Sequence, residues 1–407
     1  MNKQKNIIRL SMAILLVITM TISLTSCLFD FEFSYGDYTP DFDGGFDFSG
    51  DGATDKENNI TSDNYGDLYP GSGSGDAEGV LPLPKTLLST VTIVCESLGS
   101  VSAGSGIIYQ IDKENGDAYI ITNQHVVYGA TKISVYLYGM HLTSYAIPAV
   151  VIGGSVTYDI AVIKIEGSDI LSNSYACAAV FGKSDDVRIY DRVYAVGNAE
   201  GGGISATEGI VSVDSENISI TGADKSVISI RVMRIDAAVN HGNSGGGLYN
   251  EKGELIGIVA AKEVSEDIDN MGYAIPIDLV SKIASSILDQ CNGNTQKQIS
   301  KALMGVTITA YVTGVEIDDN GNIYKVELVE VIEISQGSLS ENKVMIGDEI
   351  NSITVDGVKK EVTRVHHVTD AMIDARVGSI VVLNVTRGEE IIDITFNITQ
   401  ESMSTVK

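Results

Sequence analysis

The chain has 407 residues, enough for two or three domains at roughly 100–200 residues each. Its formal charge of −27 opposes a phosphate backbone and argues against a nucleic-acid partner. Hydrophobic residues make up 44% and there are 42 Gly, a composition that fills sizeable cores and suits an all-β protein rich in turns.

The N-terminus opens with Lys3, Lys5 and Arg9, followed by an apolar run from Met12 to Leu24. A basic start, a short apolar stretch and small residues describe an export signal over residues 1–27. The run is shorter than the ~20 residues a membrane span needs. Its ending, Leu24-Thr25-Ser26-Cys27, resembles a bacterial lipobox. That resemblance implies lipidation of Cys27, which becomes the mature N-terminus of an extracytoplasmic, membrane-anchored lipoprotein.

Residues 28–80 hold 13 acidic residues between Asp30 and Glu78 against one basic residue, Lys56. Such a segment buries too little apolar surface to offset its ordering entropy, so a disordered linker is expected. The acidic residues lack the loop spacing of a calcium hand.

Residues 81–290 read as short strands divided by Gly, Asn and Asp turns: Val91–Val94, Ser105–Gln110, Ala118–Thr122, Lys132–Tyr138, Ile160–Ile165, Arg192–Val196, Gly209–Val213, Val227–Arg234 and Leu255–Ala260. Regular spacing of this kind predicts a sandwich or barrel. Helices are expected near Asn123–Val127 and over Ile277–Leu288. Residues 300–400 form a second β-rich unit, with strands at Lys325–Glu333 and Ile380–Arg387 and a helix around Thr369–Arg376. Besides Cys27 there are three widely spaced cysteines, Cys95, Cys177 and Cys291, which show neither a disulfide framework nor a zinc pattern. No metal or other cofactor is expected, and His366 and His367 read as solvated.

A serine hydroxyl needs a base within hydrogen-bond reach, and the base needs a third group to hold its tautomer. Residues 81–290 offer a candidate for each role in the order His125, Asp159, Ser244. Ser244 lies in Gly242-Asn243-Ser244-Gly245-Gly246, where glycine lets the backbone turn sharply and substrate approach closely. The amides of Gly242 and Ser244 can then converge as an oxyanion hole. His125 follows Ile120-Ile121-Thr122-Asn123-Gln124, and Asp159 precedes the apolar run Ile160–Ile165.

These segments, together with Ala195-Val196-Gly197-Asn198, Gly209-Ile210-Val211-Ser212, Ile235–Asn240 and Gly272-Tyr273-Ala274-Ile275-Pro276, resemble the HtrA (DegP-like) family of trypsin-fold serine proteases. The likeness covers nearly all of residues 85–290. It implies an all-β protease domain of two six-stranded β-barrels, with the active site in the cleft between them. It implies His125 as general base, Asp159 as orienting carboxylate, Ser244 as nucleophile, and Gly242, Asn243 and Ser244 as oxyanion amides. By the same analogy Ala238 floors the primary specificity pocket and Ile258, Val259 and Ala260 form a wall. That pocket predicts cleavage after small or medium aliphatic residues. One departure stands beside the nucleophile loop: His241 occupies a position where the family usually has Pro, whose fixed φ stiffens the loop.

Residues 300–400 resemble a smaller α+β PDZ domain through Met304-Gly305-Val306-Thr307, Gly337-Ser338-Leu339, Ile346–Ile353 and Gly378–Gly388. This implies capture of peptide C-termini, with Met304, Gly305 and Val306 at the carboxylate and the added strand running beside the expected helix. The resemblance as a whole implies an endopeptidase acting on unfolded extracytoplasmic proteins in quality control, and a homotrimer for which Leu81-Pro82-Leu83-Pro84 adds no independent support. The competing reading is an inactive protease-like scaffold that presents a peptide-binding domain.

Overall fold

The structure, a computed structural model, describes residues 79–140, 145–260, 271–291, 294, 297–317, 321 and 323–406. The export signal, Cys27 and all but the last two residues of the acidic linker lie outside the described residues.

The first barrel is entered through helix α1 (Pro82–Ser89) and contains β1 (Thr90–Ser97), β2 (Ser100–Asp112), β3 (Asp117–Thr122), β4 (Lys132–Leu137), β5 (Ile147–Ser155) and β6 (Ile160–Ile165). The one-turn helix α2 (Gln124–Val127) follows β3, and α3 (Asp169–Ser172) follows β6. The strands close in the order β1-β2-β3-β6-β5-β4. The second barrel contains β7 (Arg192–Gly197), β8 (Ser205–Thr221), β9 (Val227–Ile235), β10 (Gly247–Asn250), β11 (Leu255–Val259) and β12 (Gly272–Pro276), closed as β10-β11-β12-β9-β8-β7. Two closed six-stranded antiparallel barrels are the all-β architecture expected from the sequence.

The period of two along a strand explains how one stretch serves two cores. In β3, Ile120 joins Val91, Ile93, Ile108 and Ile163 inside the first barrel, whereas Ile121 joins a separate core with Ile107 and Val162. Helix α4 (Ile277–Gln290) covers that second core with Ile277, Val280, Ile283, Ala284 and Ile287, a three- and four-residue spacing that keeps one face apolar. Cys95 and Cys291 fill core positions as small apolar residues, and burial pushes the Cys95 thiol up to about 11.

The C-terminal unit begins at β13 (Ile299–Ala302) and contains β14 (Val306–Ile317), β15 (Ile323–Ile334), β16 (Glu349–Val355), β17 (Val358–Glu361), α5 (Val365–Asp374), β18 (Ile380–Arg387), β19 (Glu390–Asn397) and β20 (Met403–Val406). Strands β13 and β20 pair with each other, so the unit closes beyond residue 400. The main sheet runs β14-β15-β16-β18-β19, with β17 paired to β16, and leaves one side of β14 at an edge. Helix α5 starts four residues before the expected Thr369 because its first turn is capped from afar: the Val365 amide donates to the Glu327 carboxylate on β15 (3.1 Å). Its Ile373 enters the core under α4, which joins the C-terminal unit to the barrels.

Candidate active site

The local fold builds the base before any long-range contact is made. Strand β3 ends at Thr122, and the short α2 that follows carries His125. Asp159, in the turn ahead of β6, has a positive φ of 52°, a conformation Asp tolerates better than most side chains. One carboxylate oxygen accepts the His125 backbone N–H (3.0 Å), and the other lies 2.7 Å from His125 Nδ1. The Asp159 carbonyl accepts from Asn123 Nδ2 (2.9 Å). Asp159 is buried, while the His125 side chain keeps 20% of its exposure. A carboxylate oxygen in this pair accepts, so Nδ1 carries the proton and the Nε2 lone pair is left to take one.

Ser244 reaches the same place from the second barrel. Its carbonyl accepts the Ser105 amide of β2 (2.8 Å). Next to Ser105, a Cβ on Gly104 would lie 2.7 Å from Val126 and 3.3 Å from the Ser244 carbonyl. Gly104 therefore permits the close approach of Val126, the residue after His125, and of the Ser244 backbone to β2.

The loop before Ser244 is a tight turn. The Asn243 amide donates to the Asn240 carbonyl (3.1 Å), and Gly242 at the third position has φ 90°, the signature of a type II turn. The His241 carbonyl accepts from the Glu200 amide (2.8 Å). C=O and N–H point oppositely across a trans peptide, so this bond turns the Gly242 N–H the other way. Among the described residues the Gly242 N–H meets no acceptor. Of the three expected oxyanion amides, that of Asn243 is committed to closing the turn.

Sequence reasoning gave no role to Ser105, which fixes this loop. It is fully buried, its hydroxyl donates to the Gly242 carbonyl (2.7 Å), and the same oxygen accepts the Asn198 amide (2.8 Å). Its carbonyl accepts from Thr122 Oγ1 (2.7 Å). The available signal was the Gly104-Ser105-Gly106 triplet, because glycines inside a strand mark close backbone approach.

Other expected positions fare differently. Ala238 is exposed, but Ile258 and Val259 are fully buried and Ala260 nearly so. Ile258 packs in the core shared with α4 and Val259 packs inside the second barrel. Met304 is buried in the C-terminal core, and its carbonyl accepts from Ser340 N (3.2 Å). Gly305 has φ 79°, and its carbonyl accepts from Ser335 N (2.8 Å); Val306 begins the edge strand β14. His366 and His367, expected to be solvated, have side chains only 11% and 9% exposed, packed against the second barrel beside Asp185. Their helix docks there, which no local feature of the sequence announces.

Residues 104–258 match the family described as trypsin-like peptidase domain. The chain is 37% identical over 209 residues to the serine protease Do-like HtrA of Bacillus subtilis, covering 51% of this chain and 42% of that protein. It is 35% identical over 252 residues to the serine protease Do-like HtrB of the same organism, covering 58% and 52% respectively. The chain therefore spans about half the length of these curated relatives. Among solved structures, the HtrA-type protease AlgW with tripeptide shares the fold at a TM-score of 0.54 and 24% identity, covering 78% of this chain and 95% of that one.

Proposed function

From a chain whose residues 104–258 are a trypsin-like peptidase domain of the HtrA kind, we propose a serine endopeptidase in which Ser244 attacks the peptide carbonyl and His125 takes its proton. The observation that carries this reading is the buried Asp159 carboxylate holding both the ring and the backbone amide of His125. That double grip fixes the tautomer and the direction of the base. Gly242 N–H and Ser244 N–H are the donors for the developing oxyanion.

The substrate class in this reading is unfolded extracytoplasmic protein, reached by a chain exported on its N-terminal signal and held to a membrane through Cys27. The C-terminal unit takes peptide C-termini along the open side of β14, beside Met304, Gly305 and Val306, where backbone pairing supplies affinity. Helix α5 belongs to that unit and also meets the second barrel, so a peptide lodged against it can bias the barrel that carries Ser244. A homotrimer would be formed through the start of the protease domain.

The test is labelling by a fluorophosphonate probe. We expect labelling of the parent chain and none of Ser244→Ala. Absence of labelling in the parent, with and without added C-terminal peptides, would replace this reading with an inactive peptide-binding scaffold.

A further inference from the structure

Outside the catalytic trio, three metal-binding side chains converge where the second barrel meets α5. Asp185 lies in the short turn Ser184–Asp186. That turn is anchored to the first turn of α4: Ser184 Oγ and the Asp185 amide both donate to one oxygen of Asp278 (2.7 and 2.9 Å). Facing it from α5, His366 Nε2 lies 3.7 Å from one Asp185 oxygen and His367 Nε2 lies 3.8 Å from the other. The three donor atoms fall within 4.8 Å of one another.

We propose that Asp185, His366 and His367 form a Zn²⁺ site that clamps the C-terminal unit to the second barrel. Zn²⁺ takes imidazole nitrogen at about 2.0–2.1 Å and carboxylate oxygen at about 2.0–2.2 Å in a tetrahedron. Those bond lengths place the donors roughly 3.4 Å apart, so from atoms now within 4.8 Å of one another the site must draw in by up to about 1.4 Å. Two imidazoles and one carboxylate leave a fourth position for water.

Two groups oppose the ion. Lys360 Nζ pairs with Asp185, and Thr363 N–H makes a long contact to His367 Nδ1 (3.3 Å). Binding at Nε2 places the ring proton on Nδ1 and gives up the Thr363 contact. Lys360 is 44% exposed and can swing into solvent. Of the other nearby cations, Arg231 pairs with Asp370, Arg364 with Asp214 and Glu327, and Arg188 Nη1 donates to the Asp185 carbonyl (2.7 Å).

The test is calorimetric titration of zinc chloride into the full chain bearing Ser244→Ala and no polyhistidine tag. We expect a site of one ion per chain whose affinity falls at least tenfold in His366→Ala and in His367→Ala. The affinity should rise several-fold in Lys360→Ala, which removes a competitor and no ligand. Co²⁺ in the same site should show the visible absorption of tetrahedral coordination. Absence of binding, or binding unchanged by either histidine substitution, overturns the proposal; the latter is what the acidic N-terminal segment would give. If the histidine variants fail to fold, Lys360→Ala decides alone, and unchanged affinity there overturns it.

Discussion

Ser105→Ala tests whether the second barrel holds its oxyanion loop by itself or borrows its shape from the first. The substitution removes one hydroxyl and leaves two groups without that partner, the half-buried Gly242 carbonyl and the buried Asn198 amide. Each such loss costs about 1–3 kcal/mol, so the fold should lose about 2–4 kcal/mol. At about 2–4 °C per kcal/mol for a unit of this size, the melting temperature should fall by about 4–16 °C. Only the Gly242 bond bears on the turn that aims the oxyanion amide. If its net worth of about 1–1.5 kcal/mol biases that turn, kcat should drop about five- to tenfold. KM should hardly move, because the hydroxyl faces the loop and not the substrate. The assay is steady-state hydrolysis of a chromogenic peptide ending in Val or Ala, with the fluorophosphonate labelling rate measured in parallel. A lower melting temperature with kcat and labelling rate within twofold of the parent would refute the reasoning and leave Ser105 a purely structural residue.

Asp159→Asn keeps a side chain that tolerates positive φ but can offer His125 Nδ1 an amide donor; kcat should fall about 10³–10⁴-fold with little change in melting temperature. Gly242→Ala places a Cβ 2.2 Å from the Asn198 carbonyl at φ 90°, so the turn cannot form and probe labelling should slow by about 10²-fold. In the C-terminal unit, burial alone would raise the Asp348 carboxyl, but hydrogen bonds from Arg387 Nε and a terminal nitrogen (both 2.7 Å) and from the Met345 amide hold it below the usual range. A carboxyl depressed on folding stabilises above its unfolded pKa of about 3.9 and loses that contribution as pH falls through the folded value. Asp348→Asn should therefore cost about 1–3 kcal/mol at pH 7, and the gap to the parent should shrink below about pH 4 in acid unfolding followed by circular dichroism.

What was legible in the sequence was local. Strands such as Ile160–Ile165 announce themselves because β-branched residues fill consecutive positions on a sheet buried on both faces. The nucleophile loop announces itself because Gly242 and Gly245 serve backbone conformations at φ 90° and 83° that side chains resist. The start of α5 was missed because its first amide is capped by Glu327, 38 residues earlier in the chain. The packing of the expected pocket wall was hidden for a related reason: period two sends the Ile258 side chain into the α4 core and that of Val259 into the barrel. Which face a strand shows to a cleft depends on what covers its other face, and that partner is remote in sequence.

The division between local and remote also separates the identity of this site from its readiness. His125 and Asp159 meet across 34 residues within the first barrel, and that pairing is complete without the second. The oxyanion turn is different. Its Gly242 carbonyl is held by a hydroxyl 137 residues away, and its His241 carbonyl by the Glu200 amide in a neighbouring loop of the second barrel. Pro at position 241 would fix one φ of that turn covalently; His leaves it to non-covalent contacts, among them these two bonds and the one from the Asn243 amide to the Asn240 carbonyl. The turn's free energy is then set in part by the Ser105 contact across the barrel seam. The barrel bearing it also carries Asp214 and Arg231, both paired to α5-side residues of the C-terminal unit. These pairs are largely buried, so breaking one is costly, and a cooperative shift of α5 would alter several at once within the barrel that bears the loop. His241→Pro separates the two contributions: if the bonds alone limit the turn, the proline should recover most of the kcat lost in Ser105→Ala. No recovery would mean that Ser105 acts on the turn by some route other than its backbone conformation.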